Sequence, residues 1–238
     1  MTTAVVRPRL GIVPVAGTPD GGCPSLWELG GVPLVCRAVD ALLGSGRVDR
    51  VLVVAEPEPG GAAGAAGAVR AVLTGESRVT VTGAEELRGR LAAEPERAPV
   101  VVHDAMHPLA PSSLVRDVVD VLVGRGGAAV GVVAVRPVTD TLKWVDAAGT
   151  ITGTADREGY RVICSPQAYP AGVLLALLAA PEAVPGGPEA DITGLLPGLA
   201  VRLGPLETVP APQEVFRVAD RGDLELAEAL ERTGQGSR

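Results

Sequence analysis

Short runs rich in valine, leucine and isoleucine alternate along this chain with longer segments whose apolar residues recur at helical spacing. The runs are predicted strands at residues 10–15, 51–55, 79–82, 100–103 and 129–135. The intervening segments are predicted helices at residues 33–43, 62–73, 85–93 and 112–123. Because the strands are almost continuously apolar, both of their faces must be buried. That is typical of a parallel sheet covered by helices on both sides.

The alternation ends after Arg136. Residues 141–145 and 150–154 flank the turn sequence Asp-Ala-Ala-Gly at 146–149, which predicts a β-hairpin instead of another strand–helix–strand unit. We expect this hairpin to form an inserted arm at about residues 137–165.

The remainder of the chain returns to helical patterns. Further helices are predicted at residues 171–178, near 191–196 and at 220–231. A strand precedes the last helix, and Asp220 is its predicted N-cap. We interpret residues 1–238 as a single α/β domain.

Charge and composition exclude several classes of function. The 21 basic and 28 acidic residues give a net charge of −7, which disfavours nucleic acid and anionic membrane surfaces as partners. The three cysteines are widely spaced and lack a metal-binding pattern. The first ten residues lack the apolar core of a signal peptide, and no apolar run approaches the length of a membrane span. These features predict a reduced, cytoplasmic protein.

Two loops follow predicted strands at the edge where open parallel sheets bind ligands. Residues 14–24 form a glycine-rich loop whose N–H groups can bind a phosphate, although an ordinary strand-to-helix turn has the same composition. In the second loop, Asp104 is suited to hold Mg²⁺ beside a nucleotide phosphate or to brace the loop itself. His103 and His107 flank it, but their loop spacing and the lack of a third ligand argue against a transition-metal site.

Four stretches together resemble a known family. They are PVAGTPDGGCPSLWELGGVPL at 14–34, VVVHDAMHPLAP at 100–111, PVTDTLKWVDAAGTITGTADREGYRVICSPQAY at 137–169 and EVFRVADRGDLELAEAL at 214–230. In this order they resemble the 2-C-methyl-D-erythritol 4-phosphate cytidylyltransferases, nucleotidyltransferases of isoprenoid-precursor biosynthesis. The resemblance covers nearly the whole chain.

The resemblance implies a Rossmann-like three-layer α/β/α fold with a mostly parallel sheet and a homodimer that exchanges the hairpin arm. It also implies a reaction. CMP is transferred from CTP to the phosphate of 2-C-methyl-D-erythritol 4-phosphate, and pyrophosphate is released, with Mg²⁺ as the cofactor. An unpaired arm would expose strand edges, which also favours dimerisation.

The resemblance also implies which residues of this chain form the site. Asp104 and Glu214 match the metal-binding positions, and Arg217 matches a lysine that acts on the phosphates, so Asp104 and Arg217 are the predicted catalytic residues. Thr141 and Arg157 on the arm match residues that bind the acceptor phosphate. The predicted nucleotide-contacting residues are Ala16, Gly17, Ser25 and Gly83.

The chain departs from the family pattern where the triphosphate binds. The family's first loop carries an arginine and then a lysine, but this loop is shorter, has no arginine, and has Ser25 in place of the lysine. Two further family arginines are replaced by Leu87 and His107. The candidates to supply the lost charge are Arg7, Arg9, Arg88, Arg90, an arginine of a partner subunit, or Mg²⁺ alone.

Three functions are therefore open. The first is a working cytidylyltransferase with a rebuilt nucleotide loop. The second is a weak or inactive homologue that binds a nucleotide or sugar phosphate as a regulatory or structural dimer. The third is a transferase that uses another nucleotide, or another polyol phosphate such as ribitol 5-phosphate.

Overall fold

The computed structural model describes residues 9–15, 22–55, 64–124, 128–180 and 192–235. Its strands are β1 (Leu10–Pro14), β2 (Glu28–Leu29), β3 (Val32–Pro33), β4 (Arg50–Val54), β5 (Val79–Thr82), β6 (Pro99–Val102), β7 (Gly131–Pro137), β8 (Lys143–Val145), β9 (Ile151–Thr154), β10 (Arg161–Pro170) and β11 (Leu206–Pro210). Its helices are α1 (Leu34–Gly44), α2 (Ala65–Val72), α3 (Ala84–Ala92), α4 (Ser112–Gly124), α5 (Ala171–Ala179), α6 (Ile192–Ala200) and α7 (Arg221–Gln235). Within these residues, no helix combines the length and the apolar character that crossing a membrane requires.

Seven strands form one sheet in the order β11-β7-β10-β6-β1-β4-β5. Neighbouring strands are parallel except at β10, which runs antiparallel to both β6 and β7. The chain order reverses at β1, which has β4 on one side and β6 on the other. Ligands of open α/β sheets bind in the crevice beyond the carboxyl ends of strands at such a reversal. The ends of β1 and β6 therefore mark the candidate site.

Alternate side chains of the strands bury against two separate layers of helices. Val13, Val53 and Val101 belong to one buried cluster, which includes residues of α1, α4 and α7. Ile12 and Val102 belong to the other, which includes residues of α3, α5 and α6. Both faces of the sheet are covered, so the strands are apolar on both sides. The predicted three-layer α/β/α fold with a mostly parallel sheet is confirmed.

The predicted hairpin is also present, as β8 paired antiparallel with β9. Its turn is closed by Asp146, whose Oδ1 accepts hydrogen bonds from the N–H groups of Ala148 and Thr150, both at 2.9 Å. Gly149 adopts a φ of 82°, a conformation that favours glycine. The turn residues Asp and Gly are therefore the ones that this backbone requires.

A second, small hairpin is present that the strand pattern does not predict. β2 pairs antiparallel with β3 around Gly30 and Gly31, whose φ angles are 61° and 76°. Two successive residues with positive φ are the requirement of a type I′ turn, and Gly-Gly is one of its preferred sequences. The Gly-Gly turn sequence is present, but the flanking strands are only two residues long, which is too short for an alternating strand pattern to be recognised.

Gly131 at the start of β7 allows close packing against β10. A Cβ at this position would lie 2.5 Å from Cδ1 of Tyr169, a fully buried ring whose hydroxyl donates to Oε1 of Gln167 at 2.7 Å. Gly131→Ala is therefore expected to lower the free energy of unfolding by about 1–3 kcal/mol, the usual effect of overpacking a core.

Denaturant unfolding measures this change, with Gly89→Ala as the matched control. Gly89 lies inside α3, and a Cβ at this position would have no atom of the described residues within 4 Å beyond its own helix backbone and chain neighbours. That control is expected to gain about 0.5–1 kcal/mol from helix propensity. Equal stability changes in the two variants would contradict the packing argument.

Candidate active site

Asp104 lies two residues beyond the end of β6, at the reversal of the sheet. The preceding residue, His103, donates its N–H to the Ile12 carbonyl of β1 at 2.8 Å, which holds the loop against β1. The Asp104 carboxylate is buried, with 6% of the residue exposed. Its Oδ1 accepts the Met106 N–H at 2.9 Å. Its Oδ2 lies 3.3 Å from Nε of Arg217 and 3.5 Å from Nδ1 of His107.

The surroundings of Asp104 keep its side chain ionised. Burial raises the pKa of this carboxyl, but the nearby His107 imidazole, the Met106 N–H and the Arg217 guanidinium outweigh burial and lower the pKa below its usual value. The site therefore presents a carboxylate at neutral pH beside a basic side chain.

Arg217 reaches this carboxylate from the chain segment between β11 and α7. The next residue, Val218, donates its N–H to the Met106 carbonyl at 2.7 Å, so this segment is tied directly to the loop after β6. Part of the Arg217 side chain, 39%, is exposed. The two predicted catalytic residues, 113 positions apart, are thus brought together at the crevice.

Ser165 of β10 supports the same loop, a role that the sequence pattern does not reveal. Its Oγ accepts the Asp104 N–H at 2.8 Å and lies 2.8 Å from Nδ1 of His103. His103 is fully buried, and burial together with the nearby His107 lowers its pKa to about 3, so it is neutral. The resemblance contained the signal, because Ser165 belongs to the Ser-Pro-Gln run near the end of its third stretch.

Thr141 and Arg157 lie at the same end of the hairpin arm. Ala155 donates its N–H to the Leu142 carbonyl at 2.9 Å, which extends the pairing of the hairpin towards its base. Arg157 then donates from Nη1 to the Thr139 carbonyl at 2.7 Å, two residues from Thr141. Both predicted acceptor-binding residues are exposed to solvent. They place a hydroxyl and a guanidinium at the same end of the arm.

Comparison with known proteins identifies the family. A model of the family IspD, 2-C-methyl-D-erythritol 4-phosphate cytidylyltransferase, matches residues 11–233. The chain belongs to this family. It is 37% identical over 235 residues to the 2-C-methyl-D-erythritol 4-phosphate cytidylyltransferase of Frankia casuarinae, covering 95% of this chain and 82% of that protein. It is 40% identical over 207 residues to the enzyme of that name from Nocardia farcinica, covering 85% of this chain and 83% of the relative.

Solved structures agree with this membership. A crystal structure of 4-diphosphocytidyl-2C-methyl-D-erythritol synthase is 25% identical, with a TM-score of 0.67 over 94% of this chain and 99% of that one. The synthase from Anaerococcus prevotii is 17% identical, with a TM-score of 0.70 over the same shares of the two chains, and supports the fold alone. The resemblance to cytidylyltransferases, which are nucleotidyltransferases of isoprenoid-precursor biosynthesis, is confirmed.

The predicted nucleotide-contacting residues of this family member are only partly described. Ala16 and Gly17 lie outside the described residues. Gly83 follows β5 at the same edge of the sheet and is the N-cap of α3. Ser25, which stands in place of the family lysine, is buried in the turn Pro24–Leu26 with 3% exposed. Its hydroxyl therefore does not replace the lysine as an exposed contact.

The structure shows where three of the arginines considered as replacements for the missing positive charge lie, and which groups they contact. Arg9 precedes β1 and so lies at the amino end of the strand, on the opposite edge of the sheet from the crevice, where it pairs with Asp49. It is therefore wrong as a triphosphate contact within its own subunit. Arg90 pairs with Glu86 at 2.6 Å, and Arg88 donates to the Leu178 carbonyl at 3.2 Å. Arg7 lies outside the described residues.

The described residues offer a metal ion a single buried carboxylate. Across these residues, no three histidine, cysteine, aspartate or glutamate side chains gather closely enough to hold a metal ion. Glu214, the second predicted ligand, is exposed. Mg²⁺ commonly binds through one or two carboxylates together with substrate phosphates and water. The ionised Asp104 fits that kind of site and does not fit a cage made by the protein alone.

Proposed function

We propose that the protein transfers the CMP group of CTP to 2-C-methyl-D-erythritol 4-phosphate and releases pyrophosphate. The observation that carries the proposal is the contact between Asp104 and Arg217 in the crevice of the sheet. Relatives at 37% and 40% identity bear the name of this activity. An ionised carboxylate beside an arginine supplies the two kinds of charge that nucleotidyl transfer requires.

The reaction follows from the charges at this site. An oxygen of the acceptor phosphate attacks the α-phosphorus of CTP and forms a new P–O bond. The bond from the α-phosphorus to the bridging oxygen breaks, and its electrons leave with pyrophosphate. Arg217, oriented by Asp104, stabilises the negative charge that spreads over the α-phosphate oxygens. Mg²⁺ held by Asp104, with Glu214 as a second ligand, would neutralise further charge on the triphosphate.

The acceptor phosphate is assigned to the arm. Thr141 supplies a hydroxyl and Arg157 a guanidinium at the same end of the hairpin. Because this end is exposed, we assign the acceptor site to the contact between the arm and a second subunit. The nucleotide is assigned to the loop after β1, with Ala16, Gly17 and Gly83 around it and Ser25 buried in the turn that follows.

Exposed apolar side chains on the arm support a homodimer. Trp144, Val145 and Ile151 have 55%, 57% and 64% of their surface exposed. Isolated two-stranded hairpins are marginally stable in water, and clustered exposed apolar residues mark interaction surfaces. A second copy of the chain covers this face in the proposed dimer.

Trp144→Ser is expected to weaken dimerisation. Buried aromatic anchors at interfaces commonly contribute about 2 kcal/mol or more, which corresponds to a dissociation constant roughly thirtyfold higher. Analytical ultracentrifugation measures the constant. Val123→Ser is the control, because Val123 is 61% exposed on α4 and lies outside the arm. A monomeric wild-type protein, or equal effects of both changes, would contradict the dimer.

One observation favours the second candidate function, a weak or inactive homologue that binds these ligands. Arg9 pairs with Asp49, Arg88 donates to the Leu178 carbonyl and Arg90 pairs with Glu86, so none of their described contacts is with Asp104 or Arg217. Loss of one charged transition-state contact commonly costs about a hundredfold in rate. On this ground we expect slower transfer than in relatives that retain the loop arginine and lysine.

Product analysis distinguishes the functions. Purified protein is incubated with CTP and Mg²⁺ together with either 2-C-methyl-D-erythritol 4-phosphate or ribitol 5-phosphate, and products are identified by mass. We expect the CDP-linked product from methylerythritol phosphate. A product from ribitol 5-phosphate alone would reassign the acceptor. CTP binding without any product would establish the binding-only homologue.

A further inference from the structure

The chain segment that carries Arg217, residues 211–220, has no regular secondary structure and is held at both ends. At its start, Ala211 donates its N–H to a carbonyl of β7 at 2.8 Å. Near its end, Val218 donates to the loop after β6, as described above. Asp220 then accepts an N–H from the first turn of α7 at 3.0 Å, which confirms the predicted N-cap. The path of the chain between these ends depends on other contacts.

Arg136 contacts the middle of this segment from the carboxyl end of β7. It is the residue immediately before the third family stretch, and its Nη1 donates to the Gln213 carbonyl at 3.0 Å. Because side chains alternate along a strand, Arg136 shares a face of β7 with Val132 and Ala134. Those two residues belong to the buried cluster that includes α4 and α7. The guanidinium therefore lies on the side of the sheet where α7 and the segment before it pack.

The Cys164 thiol of β10 makes a second contact with the same part of the segment. The residue is buried, with 1% exposed, and its Sγ lies 3.4 Å from the Val215 carbonyl oxygen. Burial raises the pKa of this thiol, and the neighbouring Arg136 guanidinium opposes that rise. Arg136 and Cys164 thus form one cluster that holds the backbone at residues 213 and 215, just before Arg217.

The residues that this cluster holds are neighbours of the predicted site residues. Glu214 lies between the two contacted carbonyls, and Arg217 follows two residues later. The Nε of Arg217 lies 3.3 Å from Asp104, which is longer than the roughly 2.7–2.9 Å of strong charge-assisted hydrogen bonds. This contact alone does not set the position of a long side chain that is 39% exposed. The position of its backbone therefore matters.

The Arg136 contact is poorly suited to a purely stabilising role. Its Nε is buried and, within the part of the chain that the structure describes, forms no hydrogen bond with a nitrogen or oxygen atom. A buried N–H without a partner costs free energy comparable with the gain from one hydrogen bond to a carbonyl. Buried polar groups left unsatisfied in this way call for a reason other than stability, and a role at a catalytic site is one such reason.

We propose that Arg136 is a positioning residue that acts through Arg217 in nucleotidyl transfer. The inference rests on the function proposed above. By holding the Gln213 carbonyl, Arg136 sets the path of the chain that carries Arg217. Positioning dominates catalysis of this reaction class, and a misplacement of about 1 Å can cost about a hundredfold in rate. Arg136 does not touch the substrates.

A double-mutant cycle between the two arginines tests the proposal. The variants are Arg136→Met, which keeps the aliphatic stem and loses the donor, Arg217→Ala, and their combination, with Arg136→Lys as the conservative replacement. Arg116→Met is the matched control, because Nε of Arg116 also donates to a backbone carbonyl, that of Ser45 at 3.3 Å, in the turn between α1 and β4. The measurements are kcat, KM for both substrates, calorimetric affinity for CTP with Mg²⁺, the thermal unfolding midpoint and hydrogen exchange of the Val218 amide.

Arg136→Met is expected to lower kcat about tenfold, equivalent to about 1.4 kcal/mol, with the CTP affinity and the unfolding midpoint near their wild-type values. In the Arg217→Ala background the same change is expected to have little further effect, because the side chain that it positions is gone. Arg136→Lys recovers most of kcat, and Arg116→Met leaves kcat unchanged.

Four results would overturn the proposal. Equal losses of kcat from Arg136→Met with and without Arg217 would mean that the two residues act independently. A weaker CTP affinity or a higher KM with unchanged kcat would mean that Arg136 contacts substrate directly. A lower unfolding midpoint with unchanged kcat would mean a purely structural role. An equal loss of kcat in Arg116→Met would mean that the effect is not specific to this segment.

Failure of the proposed function gives a different result. If the wild-type protein binds CTP without turnover, the transferase proposal fails, and hydrogen exchange still tests the contact. Arg136→Met is then expected to speed exchange of the Val218 amide about tenfold through local opening of the segment, whereas Arg116→Met does not. Unchanged exchange in Arg136→Met would overturn the positioning role whether or not the protein turns over CTP.

Discussion

Replacing Arg217 with alanine is expected to lower kcat for nucleotidyl transfer by about a hundredfold or more, the usual cost of losing one charge that stabilises the transition state. The reason is local: Arg217 contacts the buried Asp104 and is partly exposed at the crevice, whereas Arg9, Arg88 and Arg90 are engaged elsewhere. With no basic residue between Arg9 and Arg37, the first loop does not compensate. Steady-state pyrophosphate release measures the change.

Two further variants test whether the loss is specific to the Arg217 guanidinium. Arg217→Lys keeps the charge but loses the planar fork, and we expect it to retain more activity than the alanine variant. Arg50→Ala removes an exposed arginine at the amino end of β4, on the edge of the sheet opposite the crevice, and is expected to leave kcat unchanged. Full activity in Arg217→Ala would remove this residue from the catalytic site.

Asp104→Asn is expected to weaken the Mg²⁺-dependent binding of CTP strongly. The amide keeps the size of the side chain and an acceptor for the Met106 N–H, but it removes the negative charge that faces Arg217 and any metal ion. Charged hydrogen bonds contribute about 1.5–3 kcal/mol, so the affinity for CTP with Mg²⁺ is expected to fall by roughly ten- to a hundredfold. Calorimetric titration with and without Mg²⁺ measures the loss.

Controls separate the metal position from a general charge effect. Asp120→Asn changes a carboxylate that pairs with Arg47, and we expect unchanged binding. Glu214→Gln tests the second metal position, and we expect a smaller loss than for Asp104→Asn because Glu214 is exposed. An affinity for CTP with Mg²⁺ in Asp104→Asn equal to that of the wild-type protein would contradict the metal assignment.

The fold is predictable from the sequence wherever burial on both faces controls the pattern. β1, β4 and β6 are continuous apolar runs because helices cover both sides of the sheet. β10 is different, since its buried residues include Ser165 and Gln167, whose polar groups bond within the core. Only tertiary partners make such residues compatible with a buried strand, so local periodicity does not predict β10.

The site is less predictable than the fold. Asp104 is marked by its place after an apolar strand, but its partner Arg217 lies 113 residues away, and only the family resemblance links the two. Contacts between distant segments that are not part of a family motif are predicted neither by the sequence pattern nor by the family resemblance. The Arg221 guanidinium lies 4.3 Å from the centroid of the Trp27 ring and so joins two distant segments. Neither a motif nor the spacing of apolar residues predicts this pair.

The most direct test of the central claim is pyrophosphate release by the purified protein with CTP, Mg²⁺ and 2-C-methyl-D-erythritol 4-phosphate, beside a family member that retains the loop arginine and lysine. We predict turnover that depends on both substrates and is slower than this control. Turnover within about tenfold of the control, a barrier difference below about 1.4 kcal/mol, would mean that the lost loop charges have been replaced. No pyrophosphate release from folded, dimeric protein would contradict the proposed transferase function.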